Sequence, residues 1–145
     1  MRDVLVFFHI LGAAAWIGGG LFAGIGYNRV LRSAGASASI PALDRASQRY
    51  FGPAAGLTLL SGVLLVFTEE EWTWGDGFVL IGLGVFAFSA IWQGLMGNRV
   101  DRRVAAAAEG GEDLDGAIAA FNRNLLINLG VLVFAVWAMV SKLGA

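Results

Sequence analysis

Residues 4–27, VLVFFHILGAAAWIGGGLFAGIGY, decide how the rest of the chain is read. The run is apolar apart from His9 and the terminal tyrosine, and a helix needs about 20 such residues to cross a bilayer core about 30 Å thick. A transmembrane helix is therefore expected here. His9 is the sole histidine of the protein and falls inside this helix. An ionisable side chain at that depth is expensive enough to mark a candidate functional position. Ala13, Ala14 and Ala15 offer the small residues of a leader-cleavage site, but the apolar run is longer than the ~7–15 residues of a signal core. The helix is expected to be retained.

Composition extends this reading to the whole chain. Its 145 residues are 57% hydrophobic and 14% charged, with a mean hydropathy of +0.70. Soluble domains carry about 25% charged residues, so there is too little polar surface for a water-facing exterior. The expected partner is the lipid bilayer. A net charge of −1 gives no sign of nucleic-acid binding. The absence of cysteine excludes disulfides, thiolate metal sites and a thiol nucleophile. Glycine, at 21 residues, is about twice its usual ~7% share. Small residues let membrane helices approach closely, which points to a tightly packed bundle and to a homo-oligomer, a dimer, joined through Gly-rich faces.

Beyond the first span the chain turns polar at Asn28, Arg29 and Arg32, and Ile40-Pro41 suggests a short surface helix over 41–50. A second span follows at about 51–68, with Gly52-Pro53 near its start. The loop after it holds Glu69, Glu70 and Glu71, with Trp72 and Trp74 suited to an interfacial aromatic belt. A third span is expected at about 77–97, closed by Asn98, Arg99, Arg102 and Arg103. A polar loop then leads, through Asp113 or Asp115 as helix cap, to a fourth span at about 121–141. Arg29, Arg32, Arg45 and Arg49 occupy the first loop and Arg99, Arg102, Arg103 and Arg123 the third, while the second has neither Arg nor Lys. By the positive-inside rule, both termini and the Glu-rich loop should lie outside the cell membrane, with His9 in the outer half. Asn28-Arg29-Val30 recurs as Asn98-Arg99-Val100, and Leu43-Asp44 as Leu114-Asp115, at equivalent places. The expected fold is thus all-α, a single four-transmembrane-helix bundle over 1–145 that reads as a duplicated helical hairpin.

On helix 1, His9, Gly12, Ala13, Trp16, Gly19, Gly20 and Ala23 share one face, because neighbours on a face recur every three or four residues. One reading makes the small residues a slot for a planar macrocycle, with His9 ligating a haem iron. The other fills the slot with a neighbouring helix and bonds His9 to Gln93, Asn128 or a backbone carbonyl. Spacing alone leaves both open. Copper ranks below haem as the metal at His9, because copper sites favour clustered Cys, Met and His, and Met1, Met96 and Met139 are scattered. No carboxylate lies within a span to serve acid–base chemistry, and whether the chain is an enzyme stays open.

The run HILGAAAWIGG at residues 9–19 resembles the first helix of CopD-like membrane proteins, a group that includes an uncharacterised family of small four-helix integral membrane proteins. The closing Trp137, Met139 and Lys142 resemble the Met-Val-x-Lys-Pro ending of that family, with Leu143 in place of Pro. The His, Trp and Gly spacing is also similar to that of HemJ-type protoporphyrinogen oxidases, which bind haem b in the membrane. That resemblance implies haem b on His9, with Gly12, Ala13, Trp16 and Gly19 around it. The family's helix 3 lysine has no counterpart, since Val79 stands roughly at its place, so the oxidase activity is not carried over. The expectation is a haem-b membrane protein of electron transfer or sensing, working with a redox partner the sequence does not name. The alternative is a small transporter of copper or another solute, or an assembly component, in which His9 is structural.

Overall fold

The computed structural model describes residues 1–33, 36–110 and 113–142, with the backbone alone at 36–38, 41 and 44. Four helices account for nearly all of them: α1 (Arg2–Leu31), α2 (Ala36–Thr68), α3 (Gly77–Ala108) and α4 (Leu114–Val140). Each is long and apolar enough to cross a membrane, and no strand occurs among the described residues. The bundle runs up and down, which brings the amino terminus, the 69–76 loop and the end of α4 together. Arg2 Nε lies 3.5 Å from Glu69, and its guanidinium sits over the Trp72 ring.

The helices are longer than the spans the hydropathy predicts. The expected surface helix at 41–50 is instead the first part of α2, which runs unbroken through Pro41, Gly52 and Pro53. A proline removes one intrahelical bond, but helices in lipid tolerate it where neighbours re-satisfy the freed carbonyl. Continuity also carries Tyr50 onto α1, where its ring lies over Gly19. Similarly, α3 does not stop at Gly97. It passes through a π turn, Gln93–Gly97, and continues as Asn98–Ala108. A π turn adds a residue to the helical repeat and so rephases the faces on either side of it. The fourth helix starts at Leu114, where Asp113 caps it by accepting bonds from the amides of Asp115 (3.2 Å) and Gly116 (3.0 Å).

At 1.5 Å per residue these helices span about 40–50 Å, more than the about 30 Å of a hydrocarbon core. The excess lies at the Arg-rich end and forms a core of its own. Tyr27, Leu31, Ile40, Val104, Ala117 and Ile118 are buried together there, with the Tyr27 and Phe121 rings 4.9 Å apart. Where helices leave lipid, water again drives apolar burial, at about 1.5–3 kcal/mol for a large side chain. Within the membrane the apolar side chains of Phe7, Ile10, Phe22, Leu60, Ile91 and Leu126 point outward and are exposed, as lipid permits.

Inside the bilayer, contact between helices depends on shape and on polar pairs. The α1–α2 pair is the most extensive, and α4 packs on both α1 and α3. Gly12 meets Thr58 and Ala54 of α2, while Gly20 and Gly24 receive Leu129 and Leu125 of α4. Gly18, Gly84, Gly94 and Gly130 face open space. Asn28 and Asn122 exchange bonds of 2.7 and 3.3 Å between α1 and α4. Ser89 donates to Asn128 at 3.2 Å, and Trp92 Nε1 to Asn124 at 2.7 Å, joining α3 to α4. Such interhelical bonds contribute about 0.6 kcal/mol each on average in lipid. The proposed repeat has a structural echo: Asn28 and Asn98 each donate to the carbonyl four residues back, Gly24 and Gly94, at 2.8 and 2.9 Å.

Candidate ligand cleft at His9

The α1–α2 hairpin and the α3–α4 hairpin separate toward the loop end, and α2 makes little contact with α3 there. Between them lies a cleft of about 220 Å³, walled by all four helices and almost wholly apolar. His9, Ala13 and Trp16 line it from α1, Thr58 and Gly62 from α2, and Phe78, Val79 and Phe86 from α3. From α4 come Leu132, Met139 and, just past its end, Lys142, while Trp72 and Trp74 of the loop stand at the mouth.

His9 is fixed in this wall by α2. Its Nδ1 lies 2.8 Å from the Thr58 carbonyl oxygen, and a carbonyl only accepts, so Nδ1 carries the proton. The Ser61 hydroxyl is 3.4 Å from the same nitrogen, but it donates to the Leu57 carbonyl at 2.5 Å. Gly62 makes room for the ring: a Cβ there would come within 2.9 Å of His9 Cε1 and 3.1 Å of Nδ1. With Nδ1 protonated, Nε2 of the neutral imidazole keeps a lone pair, and it has no hydrogen-bond partner among the described residues. Opposite α3, Trp16 packs edge-on against Phe86 with centroids 5.8 Å apart, and this pair closes the cleft on the Arg-rich side.

The five positions singled out from the sequence therefore divide. His9, Ala13 and Trp16 come together on the cleft. Gly12 and Gly19 sit under Thr58 and Tyr50, so their missing side chains are filled by α2. The His9 partner is a backbone carbonyl, whereas Asn128 is engaged with Ser89 and the Gln93 side chain lies against Gly97. Spacing on α1 could not reveal Thr58, Phe86, Met139 or Lys142.

The donor set limits the chemistry. No group of three or more His, Cys, Asp and Glu that could hold a metal ion occurs among the described residues. Haem iron needs only one or two ligands from the protein, and the side chains on these walls with an atom able to ligate it are His9, Met139 and Lys142. In volume the cleft falls short of a macrocycle as it stands, because sites for drug-sized ligands usually measure about 300–1,000 Å³ and this one about 220 Å³. Trp16 and Phe86 are the rings a macrocycle would have to displace. Comparison with protein-family models, curated proteins and solved structures found no match to this chain.

Proposed function

We propose that this protein binds haem b in the cell membrane, for electron transfer or sensing, with His9 Nε2 as an axial ligand. One observation carries the reading: the Thr58 carbonyl holds the Nδ1 proton of the protein's sole histidine, which leaves the Nε2 lone pair free on an apolar cleft. A bond of this kind fixes the tautomer of a ligating histidine, orients the ring and raises its basicity. The apolar walls exclude water, and Met139 brings a thioether to the same cavity. Bound haem would supply one-electron redox chemistry or a site for a diatomic gas. The similarity of the His9, Trp16 and Gly19 spacing to that of HemJ-type membrane proteins, which bind haem b, points the same way.

The His9–Thr58 bond also ties α1 to α2, and this favours a second reading in which the histidine is structural and the protein is a small transporter or an assembly component. The visible absorption spectrum separates the two. Protein purified in detergent from haem-supplied cells should show a Soret band on the first reading and none on the second.

Orientation belongs to the same proposal. Arg on the first and third connections and none in the 69–76 loop supports both termini outside, with the cleft opening outward. Glu70→Cys should then react with an impermeant maleimide in intact cells, and Ser33→Cys only after lysis. The opposite pattern would turn the protein over and open the cleft to the cytoplasm.

A further inference from the structure

The mouth of the cleft carries a charge that iron ligation does not use. Lys142 is the sole lysine of the protein and lines the cleft with Trp72, Trp74 and Met139. It is placed there by the way α4 ends. Its amide bonds to the Met139 carbonyl, and its φ of 47° is a left-handed conformation usually left to Gly or Asn at a helix terminus. Of the charges in the 69–76 loop and the amino terminus, Arg2 is paired with Glu69 and stacked on Trp72, Asp76 accepts bonds from the amide and hydroxyl of Thr73, and Glu70 and Glu71 do not line the cleft. Lys142 has no ion pair among the described residues.

An apolar cavity with one unpaired cation at its rim suits a molecule that has an apolar body and an acidic group at one edge. We propose that Lys142 binds a carboxylate of the cleft's ligand. The inference rests on the haem reading for the identity of that ligand, where the carboxylate is a haem propionate, but not for its charge. The contact between α2 and α3 beside the cleft is scant, which makes that seam the natural way in from lipid. An amphiphile can therefore enter from the bilayer with its acidic group at headgroup level, where the Trp72 and Trp74 rings also sit. Such a pair is charge-assisted and less screened beside an apolar wall than in open water.

The test uses ligands without iron. The full-length protein in detergent is titrated with protoporphyrin IX and with its dimethyl ester, which keeps the ring and removes the charge, and occupancy is read from tryptophan emission. Wild-type protein should bind the acid about two- to fivefold more tightly than the ester, the order of one exposed ion pair. Lys142→Gln should abolish the preference and Lys142→Arg should keep it. Palmitate against methyl palmitate repeats the comparison. Discrimination in both pairs marks a site for any carboxylate on an apolar body, and discrimination in the porphyrin pair alone marks a tetrapyrrole site; either supports the role of Lys142. Equal affinity for acid and ester in the wild type, no binding of either pair, or an undiminished preference in Lys142→Gln would overturn it. Failure of the haem reading alone looks different: a Lys142-dependent acid preference with no His9-dependent Soret band.

Discussion

His9→Ala protein, expressed with haem supplied and purified beside the wild type, is expected to show no Soret band while remaining a folded helical bundle. The loss should be complete because the remaining cleft side chains with a possible iron-binding atom are Met139, a lone thioether, and Lys142, whose ammonium has no lone pair. The fold should persist because His9 contributes one bond to the α1–α2 contact, the bond to the Thr58 carbonyl, and its packing on Gly62, while the contacts at Gly12, Gly20 and Gly24 and the core at the Arg-rich end are untouched. Circular dichroism checks the fold in the same sample. A Soret band of wild-type intensity in His9→Ala would place the haem elsewhere on the protein.

Gly12→Leu should have the largest effect on stability. Even a Cβ at this position would lie 2.6 Å from Thr58 Oγ1, 2.9 Å from the Thr58 backbone nitrogen and 3.2 Å from the Ala54 carbonyl oxygen. Two of those three atoms are backbone, so α2 itself has to move. Overpacking of this kind typically costs about 1–3 kcal/mol, occasionally more, and Leu adds three further carbons to the clash. The displaced residue is Thr58, whose carbonyl holds His9, so haem affinity should fall together with the melting temperature. Gly18→Leu is the control, because nothing lies within 4 Å of a Cβ there. Equal melting temperatures for the two variants would mean that α1 and α2 do not approach as described.

The number and location of the spans were legible in the sequence because lipid imposes a simple rule: about 20 apolar residues in a row with few charges. Helix limits were less legible. Pro41 reads as the start of a separate surface helix and the polar residues from Asn98 onward as the close of the third span, yet α2 and α3 continue through them. The core at the Arg-rich end was hidden for a related reason. Tyr27, Leu31, Ile40, Val104 and Ala117 are apolar residues scattered among charges, and only the extended helices bring them together. The face holding His9 and Trp16 was visible from helical spacing, but a glycine records only that something comes close. Whether a ligand or a neighbouring helix fills the space at Gly12 and Gly19 depends on where α2 runs. The His9 partner was out of reach as well, since a carbonyl belongs to every residue and the Thr58 side chain says nothing about its own main-chain oxygen.

The most direct measurement of the central claim uses the fact that the protein has one histidine. Isotope-labelled histidine gives two ring-nitrogen signals, both from His9, in the nuclear magnetic resonance spectrum of the protein in detergent. Without haem, Nδ1 should be protonated and Nε2 bare, as the Thr58 bond requires. On titration with haemin to saturation, the Nε2 signal should be displaced far from its starting position or lost to the iron. Ring-nitrogen signals that stay unchanged at saturating haemin would contradict the account.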